Sequence, residues 1–201
     1  MRLAVHLVTD MAMPQRAIIL IAVLTLAAGV AGFLAGHQAN HKTVLTARSQ
    51  AVDIVGQILP EFEAADLNDN LRSIREWEGQ VLLINFWATW CAPCRREMPD
   101  LMALHDELAG QATVIGIALD FPEEVRGYVE ELGIDYPILI ADDLAGTRIV
   151  RKLGNSNGLL PYSVFVDREG VIRSLKLGEL TREQARKRLD TMMDPTITLS
   201  P

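Results

Sequence analysis

Only two cysteines, Cys91 and Cys94, occur among the 201 residues. That scarcity excludes a small secreted fold stapled by a disulfide framework, and because the two lie three positions apart, their thiols act together or not at all. An excess of basic residues is also missing: 19 Lys and Arg face 26 Asp and Glu, a formal charge of -7. No nucleic acid is expected as a partner, since no basic face outweighs that balance. Internal repeats, low-complexity segments and nicotinamide or flavin motifs are absent. What is present, 49% apolar and 22% charged residues, is material for one compact domain plus a leader.

The leader is the compositional anomaly. Ala17 to Gly36 runs uncharged, about long enough for one helical crossing of a bilayer. Arg2 and Arg16 precede it and Lys42 and Arg48 follow, so flanking charge sets no orientation by itself. A cleaved signal peptide competes, with Gly29-Val30-Ala31 as a small-residue cleavage site. The run exceeds the roughly 7–15-residue core of a signal peptide, and His37 and Gln38 follow without a clean A-x-A motif. The expected organisation is an N-terminal cytoplasmic segment 1–16, a transmembrane anchor (or signal peptide) 17–36, a polar linker 37–52, a folded domain 53–195 and a tail 196–201.

In the folded part, Phe62 to Asp66 and Leu71 to Ile74 read as short peripheral strands around the turn-prone Asn68-Asp69-Asn70, followed by a loop ending in Gly79. Val81 to Trp87 is a near-continuous apolar run, the pattern of a strand covered on both faces. Past the cysteines, Met98, Leu101, Met102, Leu104 and Leu108 have helical spacing, with a stop near Gly110. Further strands are expected at Thr113–Leu119, Tyr136–Ile140 and Tyr162–Val166, the last joined through Asp167-Arg168-Glu169-Gly170 to Val171–Leu177 as a hairpin. Helices are expected from Pro122 to Leu132, from Leu144 to Leu153, and from Thr181, where Thr181 and Gln184 have capping-box spacing. Helices between buried strands imply an α/β fold, a central mixed β-sheet flanked by helices.

A C-x-x-C where a strand gives way to a helix puts its first cysteine at the helix start, where unpaired amides and the dipole stabilise a thiolate. Cys91 is then the nucleophile that forms a mixed disulfide with a substrate, and Cys94 the resolving thiol. Pro93, in the first turn, gives up an amide that has no partner there anyway. The pair is also half of a structural zinc site, but there is no second pair, and His105 stands alone in the domain. A purely structural disulfide would close too short a loop to stabilise much. No metal is therefore expected.

The stretch from Asn85 to Pro99, NFWATWCAPCRREMP, resembles the active-site signature of the TlpA/ResA family of membrane-anchored thioredoxin-like proteins, which includes CcmG-type reductases. Leu160-Pro161 with the following Tyr162 to Gly170 resembles the family's cis-proline loop, strand and turn, so the similarity runs from about residue 55 to 193. The resemblance implies a thioredoxin-like fold, a cis peptide bond before Pro161, and a Leu160 backbone that pairs with an extended substrate segment. It implies a kink-forming role for Pro99, and a proton-transfer role for Glu97, which helical spacing places on the face of Cys94. The alternative for Glu97 is a solvated carboxylate balanced by Arg95 and Arg96. Asn85 stands where ordinary thioredoxins carry a buried aspartate. Trp90 is expected to flank and partly shield the sulfurs, and Trp87 to pack in the core.

The function so implied is an extracytoplasmic thiol-disulfide oxidoreductase at the cytoplasmic membrane. It would reduce disulfides in client proteins, for example in cytochrome c maturation or metal-centre assembly, with the dithiol as its redox centre and no separate cofactor. A membrane thiol donor of the DsbD/CcdA type would recharge it. Two other readings are a thiol peroxidase, for which Thr89 is suitably near but the expected loop proline is missing, and a non-catalytic assembly or metal-delivery module.

Overall fold

The computed structural model describes residues 54–193, apart from 109, 142 and the side chain of 143. The segments 1–16, 17–36, 37–52 and 196–201 lie outside the described residues. No helix among those described is long and apolar enough to cross a membrane.

Seven strands form one sheet: β1 Glu63–Asp66, β2 Leu71–Ser73, β3 Val81–Trp87, β4 Ala112–Ala118, β5 Ile138–Ile140, β6 Tyr162–Val166 and β7 Ile172–Leu177. Their order is β2-β1-β5-β4-β3-β6-β7. β4 runs parallel to both β3 and β5, and the remaining pairs are antiparallel, so the sheet is mixed. Among the described residues, four helices connect or follow the strands: α1 Ala92–Leu108, α2 Pro122–Leu132, α3 Asp143–Lys152 and α4 Arg182–Met193.

All seven residues of β3 are buried, and alternation splits them between two cores. Val81, Leu83 and Trp87 join Met98, Leu101, Leu104 and Leu108 of α1, Val125 and Val129 of α2, and Ala185 and Leu189 of α4. Leu82, Ile84 and Phe86 join Ile149 and Val150 of α3 on the opposite side. Helices therefore cover both faces, and each fully buried Leu or Ile contributes about 1.5–3 kcal/mol.

Three elements differ from expectation. Ile74 does not extend β2. Ser73 caps a 3-10 turn, Ile74–Trp77, in which the Ser73 amide donates to Glu76 Oε1 (3.0 Å) and the Arg75 amide to Ser73 Oγ (3.3 Å). β1 is not peripheral, since it lies between β2 and β5. β5 starts at Ile138 rather than Tyr136 because Pro137 has no amide to donate, although its carbonyl accepts from the Gly116 amide (2.9 Å). The α2 stop at Gly133 is as read: φ is 69° and its amide donates to Val129 O. At α4, Thr181 Oγ1 accepts from the Gln184 amide (3.3 Å).

Candidate active site

The parallel register of β3 and β4 brings the loops after both strands to one end of the sheet, and antiparallel β6 begins at that same end. Three segments therefore meet there: Ala88 to Cys91, Leu119 to Phe121, and Leu159 to Pro161.

Cys91 caps α1. Its amide donates to Ala88 O (3.2 Å), its carbonyl accepts from the Arg95 amide (3.1 Å), and its Sγ accepts from the Cys94 amide (3.3 Å). The sulfur thus occupies the place of an N-cap oxygen, at the positive end of the helix dipole, where a thiolate is favoured. Cys91 and Cys94 form a disulfide, with Cα atoms 5.3 Å apart. Cys91 keeps 5% of its surface and Cys94 none, so the capped sulfur belongs to the residue that solvent reaches. Pro93 lies in the first turn of α1.

Trp90, in the turn before the helix, stands 70% exposed, and Cys94 packs among core residues of α1 and the sheet. Trp87 is fully buried, as expected of core packing. Thr89, the residue that suggested a peroxidase, is committed elsewhere: its amide donates to Asp120 Oδ2 (2.9 Å) and its hydroxyl to the same oxygen. Asp120 Oδ1 accepts from the Phe121 amide (2.8 Å), so this one carboxylate ties the two loops together.

Glu97 falls on the buried stripe of α1, with Cys94, Met98 and Leu101. It is 1% exposed, and both oxygens are engaged: Oε1 accepts from Asn85 Nδ2 (2.8 Å) and Oε2 from the Leu180 amide (2.7 Å). The solvated reading is thereby excluded. Arg96 pairs with Glu179 (2.6 Å), and the Arg95 guanidinium lies 5.6 Å from the Tyr128 ring centre. Burial pushes the Glu97 carboxyl up to about 7, against the two donated hydrogen bonds, which lower it; Glu179 raises it further and Lys176 opposes this. A carboxyl in that range can take up or release a proton near neutral pH.

The Leu160–Pro161 peptide bond is cis, as the resemblance implied. Its loop is held by Asn155, whose Nδ2 donates to Leu159 O (2.7 Å) and whose Oδ1 accepts from the Leu159 amide (3.2 Å). The Pro161 carbonyl accepts from the Gly178 amide (2.8 Å). Leu160 is half-buried against both cores. The sequence reading did not single out Asp120, Asn155, Ser163 or Leu180. Only Asp120, an acid at the end of a buried strand just before a helix, carried a local signal.

Comparison with known proteins bears on what this arrangement does. The AhpC/TSA family pattern matches residues 55–175. The chain belongs to the AhpC/TSA family. It is 31% identical over 139 residues to the thioredoxin-like protein YneN of Bacillus subtilis (strain 168), spanning 67% of this chain and 78% of that one. It is 32% identical over 133 residues to the thiol-disulfide oxidoreductase ResA of Bacillus thuringiensis (strain Al Hakam), spanning 65% and 73%. Among solved structures, a thioredoxin-family thiol:disulfide interchange protein from Chlorobium tepidum TLS superposes with a TM-score of 0.60 at 25% identity, covering 68% of this chain and 96% of that one. A DsbF homologue from Corynebacterium diphtheriae gives 0.61 at 26% identity, covering 67% and 85%. This family member is a protein thiol-disulfide oxidoreductase with a thioredoxin-like fold.

Proposed function

We propose that the chain is an extracytoplasmic reductase of client-protein disulfides, anchored by residues 17–36. The observation that carries the exchange chemistry is the asymmetry of the pair: Cys91 has the N-cap position and the remaining exposure, while Cys94 is fully buried on the face of Glu97. In the reduced protein the Cys91 thiolate attacks a client disulfide, forming a mixed disulfide and releasing one client thiolate. Glu97 then accepts the Cys94 proton. The Cys94 sulfur attacks Cys91 Sγ, the Cys91–Cys94 disulfide closes, and the second client sulfur leaves as a thiolate that takes up a proton. Two electrons pass to the client, and a membrane dithiol donor of the DsbD/CcdA type restores the Cys91–Cys94 dithiol. Apocytochrome c thiols and metal-centre assembly proteins are clients consistent with the TlpA/ResA resemblance.

The surroundings suit a protein substrate. Trp90, Phe121 and Leu159, one from each of the three converging loops, stand 70%, 71% and 52% exposed. Exposed apolar groups of this size favour docking, and the Leu160 backbone beside cis-Pro161 supplies hydrogen-bonding groups for an extended client segment. Expression of Cys94→Ser in the native host tests the reading: the variant accumulates mixed disulfides through Cys91, and the captured proteins name the pathway. If nothing is captured where the wild type cycles between redox states, the nucleophile and resolver are misassigned.

A further inference from the structure

Directly beneath Glu97, Asn85 is in register with Gly116 of β4 on one side and Ser163 of β6 on the other. Asn85 is fully buried. Its Nδ2 uses both hydrogens, one to Glu97 Oε1 (2.8 Å) and one to Ser163 Oγ (3.1 Å). Its Oδ1, however, is buried with no hydrogen-bond partner. A buried carbonyl oxygen without a partner is uncommon and destabilising.

The arrangement is complete for an ionised Glu97 only. A neutral carboxyl has a hydrogen to donate, and its known polar neighbours at Oε1 and Oε2 are the Asn85 amide nitrogen and the Leu180 amide, both donors. The one unused acceptor within the same residue pair is Asn85 Oδ1. We propose that Asn85 is a positioning residue serving both protonation states of Glu97: Nδ2 donates to the carboxylate, and a half-turn of the amide presents Oδ1 to the carboxyl hydrogen. Ser163 allows the turn because a hydroxyl both accepts and donates. It accepts from Nδ2 in one state and donates to Oδ1 in the other. The half-turn moves one unpaired polar atom rather than adding one.

An aspartate at position 85 would place a second ionisable carboxyl against Glu97, and the two would compete for one proton. The amide stabilises each form of Glu97 without titrating. Other groups acting on Glu97 are Lys176 of β7, Glu179 between β7 and α4, and buried Tyr136 ahead of β5, whose hydroxyl donates to Met98 Sδ (2.9 Å). Burial and the neighbouring negative charge keep Tyr136 protonated. None of the three is hydrogen-bonded to the carboxyl, so they bias its titration but cannot receive its hydrogen.

This inference rests on Glu97 as the proton relay, and infrared difference spectroscopy of the full oxidised chain, high pH against low, separates the two claims. A protonated-carboxyl stretch should appear as pH falls through neutrality and vanish in Glu97→Gln; its absence overturns both the relay and the inference. If present, the band should shift to higher frequency in Asn85→Leu, which offers no acceptor. In the wild type labelled with 13C at the Asn side-chain carbonyl, one carbonyl band should shift downward with the same midpoint, a readout that needs no substitution at position 85. A carboxyl band indifferent to Asn85→Leu, together with a labelled carbonyl that does not move with Glu97, overturns the positioning role alone.

Discussion

Replacing Glu97 by Gln should change how stability depends on pH by an amount the structure sets. The folded protein binds the Glu97 proton with a pKa of about 7, against 4.5 for an ordinary glutamate. Between those values the folded state holds more protons than the unfolded chain, so stability falls as pH rises. The contribution is complete below about pH 4.5 and gone above about pH 7. At roughly 1.4 kcal/mol per pH unit it is worth about 3 kcal/mol in full, of which about 2–3 kcal/mol is lost between pH 5 and pH 8. Because Glu97 is 1% exposed, solvent screens little of it. Gln has the same shape and does not titrate, so the wild type should lose that amount relative to the variant over the interval. Urea unfolding of the oxidised proteins, followed by fluorescence of the buried Trp77 and Trp87, measures it. A wild-type-minus-variant difference that is flat with pH, or that grows in favour of the wild type, would refute a titrating buried carboxyl.

Other consequences are open to direct measurement. Gly116→Ala should lower stability by about 1–3 kcal/mol in thermal unfolding, because a Cβ there would lie 2.6 Å from Ile138 Cδ1, 3.0 Å from Trp87 Nε1 and 3.1 Å from Tyr136 Cε2; an unchanged Tm would contradict this. Asp120→Ala removes the acceptor for the Thr89 and Phe121 amides, and should cost about 1–3 kcal/mol while slowing the reaction of Cys91. The reduction potential, measured against glutathione, should lie nearer thioredoxin at about −270 mV than DsbA at about −120 mV; a value at the DsbA end would turn the proposed reductase into an oxidase.

The strands and helices that carry chemistry were legible because their signals are local. Val81 to Trp87 forms β3 as read, and the C-x-x-C sits at the start of α1 because an apolar run and a helical spacing meet there. The Asn68-Asp69-Asn70 turn was legible too: Asp66 Oδ1 accepts from the Asn68 amide (2.8 Å) and the Asn70 amide (3.0 Å), and Asp69 takes a φ of 65°. The 3-10 turn after Ser73 was missed although Ser73 and Glu76 have capping-box spacing. Helical spacing put Glu97 on the face of Cys94, yet its burial could not be read from neighbours that include two arginines. Those arginines turn outward to Glu179 and Tyr128, while Leu180 and Asn85, distant in sequence, hold the carboxyl inside. Asp120 and Thr89, 31 residues apart, meet only because β3 and β4 are parallel neighbours. Exposure of Trp90 likewise depends on which way the turn before α1 faces.

The division of labour between the two sulfurs is tested most directly by the rate at which single-cysteine proteins form a mixed disulfide with a small aromatic disulfide at neutral pH. Cys94→Ser, which retains the capped and partly exposed Cys91, should react rapidly and in proportion to its thiolate fraction, whereas Cys91→Ser, with only the fully buried Cys94, should react far more slowly. Equal rates, or a faster Cys91→Ser, would contradict the assignment of Cys91 as nucleophile.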